Sequence, residues 1–405
     1  MSFLKSFTQQ EAIPDEGIQA AIEVMKSGRL HRYNVNPGEK SLTDQLELEF
    51  SQYMEVDNCL ACASCGYALH IALKALGIKD GDKVLCNAFT LAPVPGAIDN
   101  AGGIPVLVDI DQKLCIDLGD LENKARISGA KYLLLSHMRG HISDMDLVMQ
   151  ICKDFNLLLI EDCAHTMGAK WNGKMSGSFG DVACFSTQTY KHINSGEGGL
   201  LITPHSEVIT KAIIYSGSYM LYEKHYAAPD KKEFDAIKYT TPNYSGRMDN
   251  LRAAILLPQL KSLNQKCISW NERYHSMHQI FQLSPHIELI VRDAKEQFVA
   301  SSIQFFVPTL LPSGFQSLID QCEAKGVTIK WFGDSEPSGY TSKYDSWHYL
   351  KDQTRLESTE HILGKLIDIR IPLTFTIDDC MTVAEIVSKE VEIILGSADS
   401  EPQST

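Results

Sequence analysis

The 405-residue sequence has no run that approaches the roughly 18 consecutive apolar residues of a membrane span. Its amino terminus, MSFLKSFTQQEAIPDEG, lacks an apolar core behind basic residues, so a secretory leader is not expected and a cytoplasmic location is. Positive charge is in short supply: 37 Lys and Arg stand against 51 Asp and Glu, for a formal charge of -14. Such a chain repels a phosphate backbone in its mean field, which argues against nucleic acid as a partner. No internal repeat and no long low-complexity segment occurs. Cysteine is not scarce, but its number is odd: eleven are scattered through apolar runs such as KVLCNAF and DVACFS. That usage fits reduced, packed thiols and leaves disulfides unexpected.

What is present is a large apolar fraction, 44% of residues, enough for an extensive core and two domains. From residue 83 to 204, short apolar runs alternate with amphipathic or polar segments: KVLCNAF, PVLVDI, KYLLLSH, NLLLIED, DVACFS and GLLITP. This is an α/β pattern with a largely parallel sheet. Several runs end on a polar residue, as at Asp109, His137, Asp162 and Ser186, where ligands of open α/β sheets gather. Upstream, EAIPDEGIQAAIEVMKSG predicts a helix closed by Gly28, and SLTDQLELEFSQYM a helix opened by a Ser or Thr cap. Downstream, MDNLRAAILLPQLKSLNQK predicts a long connecting helix with a bend at Pro258. A second α/β unit follows, with SSIQFFVPTL as its clearest strand. The expected division is an arm and large domain over 1–262, a smaller domain over 263–396 and a polar tail over 397–405.

One strand delivers Glu161 and Asp162 to its end, with His165 three residues beyond. Alone, such an Asp is most simply a helix cap. The next strand, however, ends at Ser186, and a polar turn then carries Lys191 into SGEGGLLIT, whose glycines allow tight turns. An acid and a lysine at neighbouring strand ends form either a structural ion pair or the two sides of a pyridine-ring site. Pyridoxal phosphate needs an amine for its aldehyde and a carboxylate to keep its ring nitrogen protonated. It also needs an anion site. Ser64, Cys65 and Gly66, in SCGYALHIALKALG, open a helix whose free N–H groups would face a phosphate.

In order, SCGYALHIALKALGIKDGDKVLCNAFT, GGIPVLVDID, SHMRGHISDMD, IEDCAHTMGA, GDVACFS, Lys191 with GEGG, and NYSGRMDNLRAAIL resemble the DegT/DnrJ/EryC1/StrS aminotransferases. The resemblance runs from about residue 20 to the PLTF segment at Pro372. It implies a fold-type I pyridoxal phosphate enzyme: a large domain with a mostly parallel seven-stranded sheet, plus a smaller carboxy-terminal α/β domain. It also implies a keto-sugar acceptor, an amino donor, glutamate above all, and a homodimer with active sites at the subunit interface. By the same resemblance, Lys191 is the Schiff-base lysine and Asp162 the partner of the pyridinium nitrogen. His165 stands near the ring hydroxyl, and Ser186 with the amides of Cys65 and Gly66 holds the phosphate. Ser245 and Arg247, in NYSGRM, reach the neighbouring subunit's site, and His348 in WHYLKD faces the substrate. Three positions depart from the family pattern. Cys65-Gly66 replaces Gly-Thr or Gly-Ser, Leu91 follows Phe89 and Thr90 where an aromatic commonly stacks on the ring, and Ser245 stands for Asn. An aliphatic face from Leu91, or Phe89 beside it, would then meet the ring.

Some relatives are sugar dehydratases that carry His in place of the lysine, so the register of YKHINSGEGG matters. By the resemblance the family lysine lies five positions before the first glycine of GEGG, Gly196; that position is Lys191, with His192 after it, which implies an aminotransferase. The alternatives are a dehydratase and a regulator that keeps the cofactor without turnover. WHYLKD and HRYN resemble the subgroup that aminates an oxidised eight-carbon keto acid for lipopolysaccharide, and a nucleotide-linked keto sugar stands equally open. Cys59, Cys62 and Cys65 have a spacing suggestive of an iron–sulfur site, but no cysteine occupies position 69, so packing is the simpler reading and no metal is expected. His137 and His141 read as hydrogen-bonding loop histidines, and Tyr344, Trp347, His348 and Tyr349 more readily as core than as a binding site.

Overall fold

The computed structural model describes residues 2–218, 220–334, 343–350 and 354–398. Each apolar run named above forms a five-residue strand. In the first half of the chain these are β1 (Asn58–Cys62), β2 (Lys83–Asn87), β3 (Ile104–Val108), β4 (Tyr132–Ser136) and β5 (Leu158–Asp162). A short ribbon, β6 (Lys170–Trp171) and β7 (Lys174–Met175), precedes β8 (Val182–Ser186) and β9 (Gly199–Thr203). Seven of these make one sheet in the order β1-β9-β8-β5-β4-β2-β3. Only β9 runs against its neighbours. The strands are apolar throughout because both faces are covered. Ala61, Leu85, Leu133, Leu159 and Phe185 enter one core, and Leu60, Val84, Leu134, Ile160 and Cys184 enter the other.

The covering helices obey their end signals. Asp15–Ser27 stops at Gly28, whose φ of 69° is the left-handed cap the sequence predicts. Leu42–Met54 opens on Ser41, whose hydroxyl accepts from the Asp44 amide while the Asp44 carboxylate accepts from the Ser41 amide. Helix Asn250–Phe281 runs unbroken through Pro258, and the junction expected at 262–263 falls inside it. It leads to an antiparallel sheet built from β10 (Glu288–Leu289), β12 (Ser302–Phe306), β13 (Lys330–Trp331) and β14 (Leu366–Arg370), in the order β10-β12-β14-β13. A separate strand, β11 (Glu296–Gln297), extends the β6–β7 ribbon. Asp109, at the end of β3, joins the two sheets' surroundings: its Oδ1 accepts from the Thr359 amide at 2.8 Å and from the Thr359 hydroxyl at 2.6 Å.

The carboxy-terminal helix, Ile377–Ala398, includes the first two positions of the expected tail, and 399–405 lie outside the described residues. All eleven cysteines are free. Cys59 and Cys62 lie in different cores, on opposite faces of β1, so a three-cysteine cluster would require the strand to unravel. No helix among the described residues is long and apolar enough to cross a membrane.

Candidate active site

The parallel strands deliver their polar carboxyl-terminal residues to one edge of the sheet. Register sets Ser136 of β4 beside Asp162 of β5, and sets Ser186 of β8 beside Gly199 of β9. At that edge a cleft of about 380 Å³ is lined by Ser64, Cys65, Gly66, Leu91, Asp162, His165, Ser186 and Lys191, with Ser136, Met138 and Gln188 among the others. Eight of the sequence-predicted residues, from five separate segments, therefore meet in one hollow. A larger hollow of about 550 Å³ around Gly168, Lys174 and Thr203 lies at the opposite edge of the sheet and takes in none of them.

Strand alternation separates Glu161 from Asp162. Glu161 is completely buried, and its carboxylate accepts from the amides of Gly177, Phe179 and Gly180 at 2.8–3.0 Å. It holds a loop and is not free for chemistry. Asp162 faces the cleft, where Oδ2 accepts from the Ser136 hydroxyl at 2.7 Å and Oδ1 from the Ala164 amide at 3.1 Å. Ser136 is oriented in turn by Thr90, whose hydroxyl donates to it at 2.8 Å, and by Asn87, which bonds both its amide and its carbonyl. Sequence reasoning missed Asn87, Thr90 and Ser136. The available signal was that each is a polar residue closing, or just following, an apolar strand.

Ser64 caps helix Cys65–Ala75 by accepting from the Tyr67 amide at 3.1 Å, which leaves the first amides of that helix directed at the cleft. Gly199 makes the approach possible, since a Cβ there would stand 2.5 Å from the Ser64 carbonyl and 2.6 Å from the Cys65 nitrogen. Gly66 is different: a Cβ would meet only Pro93, at 3.6 Å. Burial keeps the Cys65 thiol protonated by pushing its pKa well up.

Lys191 Nζ lies 2.7 Å from His165 Nε2. His165 Nδ1 accepts from the Arg139 amide at 3.3 Å, and burial, followed by the charge of Lys191, holds the ring's pKa well below its ordinary value. A neutral imidazole that accepts at Nδ1 carries its proton at Nε2, so Nε2–H donates to the lone pair of Lys191. That contact requires the free-amine form of Lys191, and desolvation, with Asp162 pulling upward and Arg139 and Arg370 pushing further down, lowers the lysine's pKa to about 8, so the free amine is a minority at pH 7 and the major form only above about pH 8. His192 points elsewhere. Its ring packs edge-on to Trp270 at 5.1 Å, neither nitrogen has a hydrogen-bond partner among the described residues, and burial depresses its pKa to about 3.

Other expected residues lie outside the cleft of this chain. Phe89 is fully buried against Phe332, so of the two it is Leu91 that offers a face to the hollow. Ser245 is exposed, with φ of 54°, and Arg247 Nη1 donates to the Gly217 carbonyl. His348 is exposed, while Trp347 and Tyr344 are core, and Ser342, Lys351 and Asp352 fall outside the described residues. In HRYN, Arg32 is buried, with both terminal nitrogens on Glu47 at 2.7 and 2.8 Å. His137 and His141 are buried and bonded to Glu161 and Gln304, as loop histidines should be.

A profile of the DegT/DnrJ/EryC1/StrS aminotransferase family matches residues 11–388. The chain belongs to that family. GDP-perosamine synthase of Caulobacter vibrioides is 32% identical over 256 residues, which span 61% of this chain and 66%, just under two thirds, of that protein. A pleiotropic regulatory protein of Geobacillus stearothermophilus is 29% identical over 76% of this chain and 85% of its own length. Helicobacter pylori PseC, an aminotransferase of pseudoaminic acid biosynthesis, superposes with a TM-score of 0.82 at 18% identity, over 97% of this chain and all of that one. The shared fold is the α/β architecture of fold-type I aminotransferases.

Proposed function

We propose that this family member is a pyridoxal phosphate-dependent aminotransferase that transfers an amino group, with glutamate as donor, to a keto sugar. The observation that carries the reading is the pairing at the cleft of Lys191, its amine 2.7 Å from His165, with an Asp162 carboxylate fixed by Ser136, while His192 turns away. That arrangement favours a lysine enzyme over a histidine dehydratase. The cleft suits the cofactor: Lys191 offers an amine, Asp162 an oriented carboxylate, and Cys65 and Gly66 free amides at a helix start. When bound, pyridoxal phosphate supplies the electron sink for bond changes at the amine-bearing carbon.

The chain's own groups do the rest. Lys191, whose pKa desolvation lowers to about 8 and so brings near the working range, takes and returns the proton at the substrate carbon. His165, donating through its 2.7 Å contact, would orient the Lys191 amine, and Asp162, acceptor of two hydrogen bonds, would hold a positive ring nitrogen. Leu91, Val94 and Met138 give the cleft an apolar wall that excludes water. Ser245 and Arg247, exposed or turned from this cleft, serve a homodimer partner's site, and His348 contacts the sugar there or at the cleft mouth.

The curated relatives named for perosamine and inosose amination support a sugar acceptor in amino-sugar or polysaccharide biosynthesis. The regulatory relative makes a turnover-free cofactor binder the rival reading. One experiment separates them. The purified protein should be yellow, lose that colour on adding glutamate and regain it with a keto sugar. Lys191→Ala should keep bound cofactor and lose turnover. A protein whose colour no amino acid changes would be a regulator.

A further inference from the structure

Among the described residues two carboxylates line the cleft: Glu197 is exposed, and Asp162 is buried. The buried one stands at the end of a directed chain of hydroxyls. An ionised carboxylate can only accept, so Ser136 spends its single proton on Asp162 Oδ2, at 2.7 Å, and its oxygen is left to accept from the Thr90 hydroxyl, at 2.8 Å. The order Thr90 to Ser136 to Asp162 therefore has one sense, set by the charge at its far end. Donors held in line polarise one another, so the bond from Thr90 strengthens the bond from Ser136.

Asn87 holds both hydroxyls in place. Its Oδ1 accepts from the Ser136 amide at 2.9 Å, and its Nδ2 donates to the Ser136 carbonyl at 3.0 Å and to the Phe89 carbonyl, one residue before Thr90, at 2.9 Å. Asn87, Thr90 and Ser136 are all buried, and the parallel pairing of β2 with β4 and of β4 with β5 sets these strand ends side by side. Two buried hydroxyls at strand ends most simply satisfy each other. Here, however, the chain ends neither on itself nor on a backbone carbonyl, but on the carboxylate that the cofactor's ring nitrogen would meet. Asp162 Oδ1 has its own donor in the Ala164 amide, so each oxygen holds one hydrogen bond and keeps lone pairs to spare.

We propose that Ser136, backed by Thr90, is a positioning residue that keeps the proton on the cofactor's ring nitrogen. The inference deepens the aminotransferase reading on which it rests. Hydrogen bonds to a carboxylate favour its charged form. A carboxylate that already accepts two of them attracts a ring N–H without taking its proton, and the ring stays cationic, the state in which it draws electrons from the substrate carbon. Without the Ser136 hydroxyl, the charge on Oδ2 is less dispersed, so Asp162 competes harder for the proton and loses the bond that fixes its plane.

Ser136→Ala removes the donor to Asp162 and leaves the backbone bonds to Asn87 in place. Thr90→Val removes the second link at nearly constant shape, and Thr90→Ser keeps its hydroxyl. The full chain is loaded with pyridoxal phosphate carrying nitrogen-15 in the ring, and the magnetic resonance shift of that nitrogen reads the ring proton at constant pH. Ser136→Ala should move the signal toward that of a neutral pyridine, Thr90→Val should move it less and in the same direction, and Thr90→Ser should return it to the parent position. The limiting rate at which glutamate discharges the colour should fall about 10- to 100-fold in Ser136→Ala, the span of one hydrogen bond to a charged group, at an unchanged half-saturating glutamate concentration. A ring signal unmoved in Ser136→Ala overturns the proposal, even where cofactor affinity or melting temperature falls. Signals that move as expected, in a protein whose colour glutamate never discharges, leave the hydroxyl chain standing and overturn the aminotransferase reading instead.

Discussion

The state of Lys191 permits a quantitative test. An exposed lysine of pKa 10.5 is about 0.03% free amine at pH 7, whereas a lysine lowered to about 8 is roughly 9% free, a gain of about 300-fold in nucleophile. Desolvation and the Arg139 and Arg370 charges supply this shift against the pull of Asp162. In free energy it corresponds to about 3 kcal/mol held against the charged form. Protein stripped of cofactor and mixed with pyridoxal phosphate should become coloured at a rate that rises tenfold per pH unit below about 8 and levels above it. Asp162→Asn should move the bend to lower pH, and Arg139→Gln to higher pH. The native group binds its proton more weakly than the unfolded one, so stability should rise with pH between about 8 and 10.5. A colouring rate that climbs without a bend to pH 10 would refute both the free amine and the hydrogen-bond direction assigned to His165.

Other outcomes follow from the packing. Arg32→Met leaves buried Glu47 with only His225 and the Ala61 amide, and should cost about 3–5 kcal/mol, read by denaturant unfolding. Glu47 itself is lowered to about 2, with Arg32 and His225 outweighing burial, so the stability it contributes is complete above pH 4.5 and lost as pH falls toward 2. Gly199→Ala forces β9 from the Ser64–Cys65 turn, and should weaken cofactor affinity more than tenfold in an absorbance titration while the far-ultraviolet spectrum persists. His192→Leu removes two unsatisfied buried nitrogens, and should leave turnover intact and raise the melting midpoint by an amount equivalent to about 1 kcal/mol.

The strands were legible because each is a short apolar run ended by a polar residue, and all six quoted runs became strands. The antiparallel course of β9 was not legible, since a buried strand's composition carries no direction. Asp162 and Ser186 were readable as the residues that close β5 and β8, and Lys191 from the polar turn after β8; all three line the one cleft. Ser136 was not: Thr90 and Asn87, which orient it beside Asp162, stand 46 and 49 positions away, and only the pairing of β2 with β4 brings them within reach.

Taken alone, the sequence determined the family, because an ordered set of motifs at successive strand ends carries the resemblance, and the family profile matches residues 11–388. Tertiary structure decided the protonation and company of those groups. The pKa of Lys191 is lowered to about 8 by burial beside His165 and two arginines, Asp162 is oriented by Ser136 of β4 with Thr90 from the loop after β2, and His192, adjacent in sequence, packs into a different environment against Trp270. Desolvation and hydrogen bonding act over a few ångströms of space, and neighbours at that range are chosen by packing and not by order in the chain.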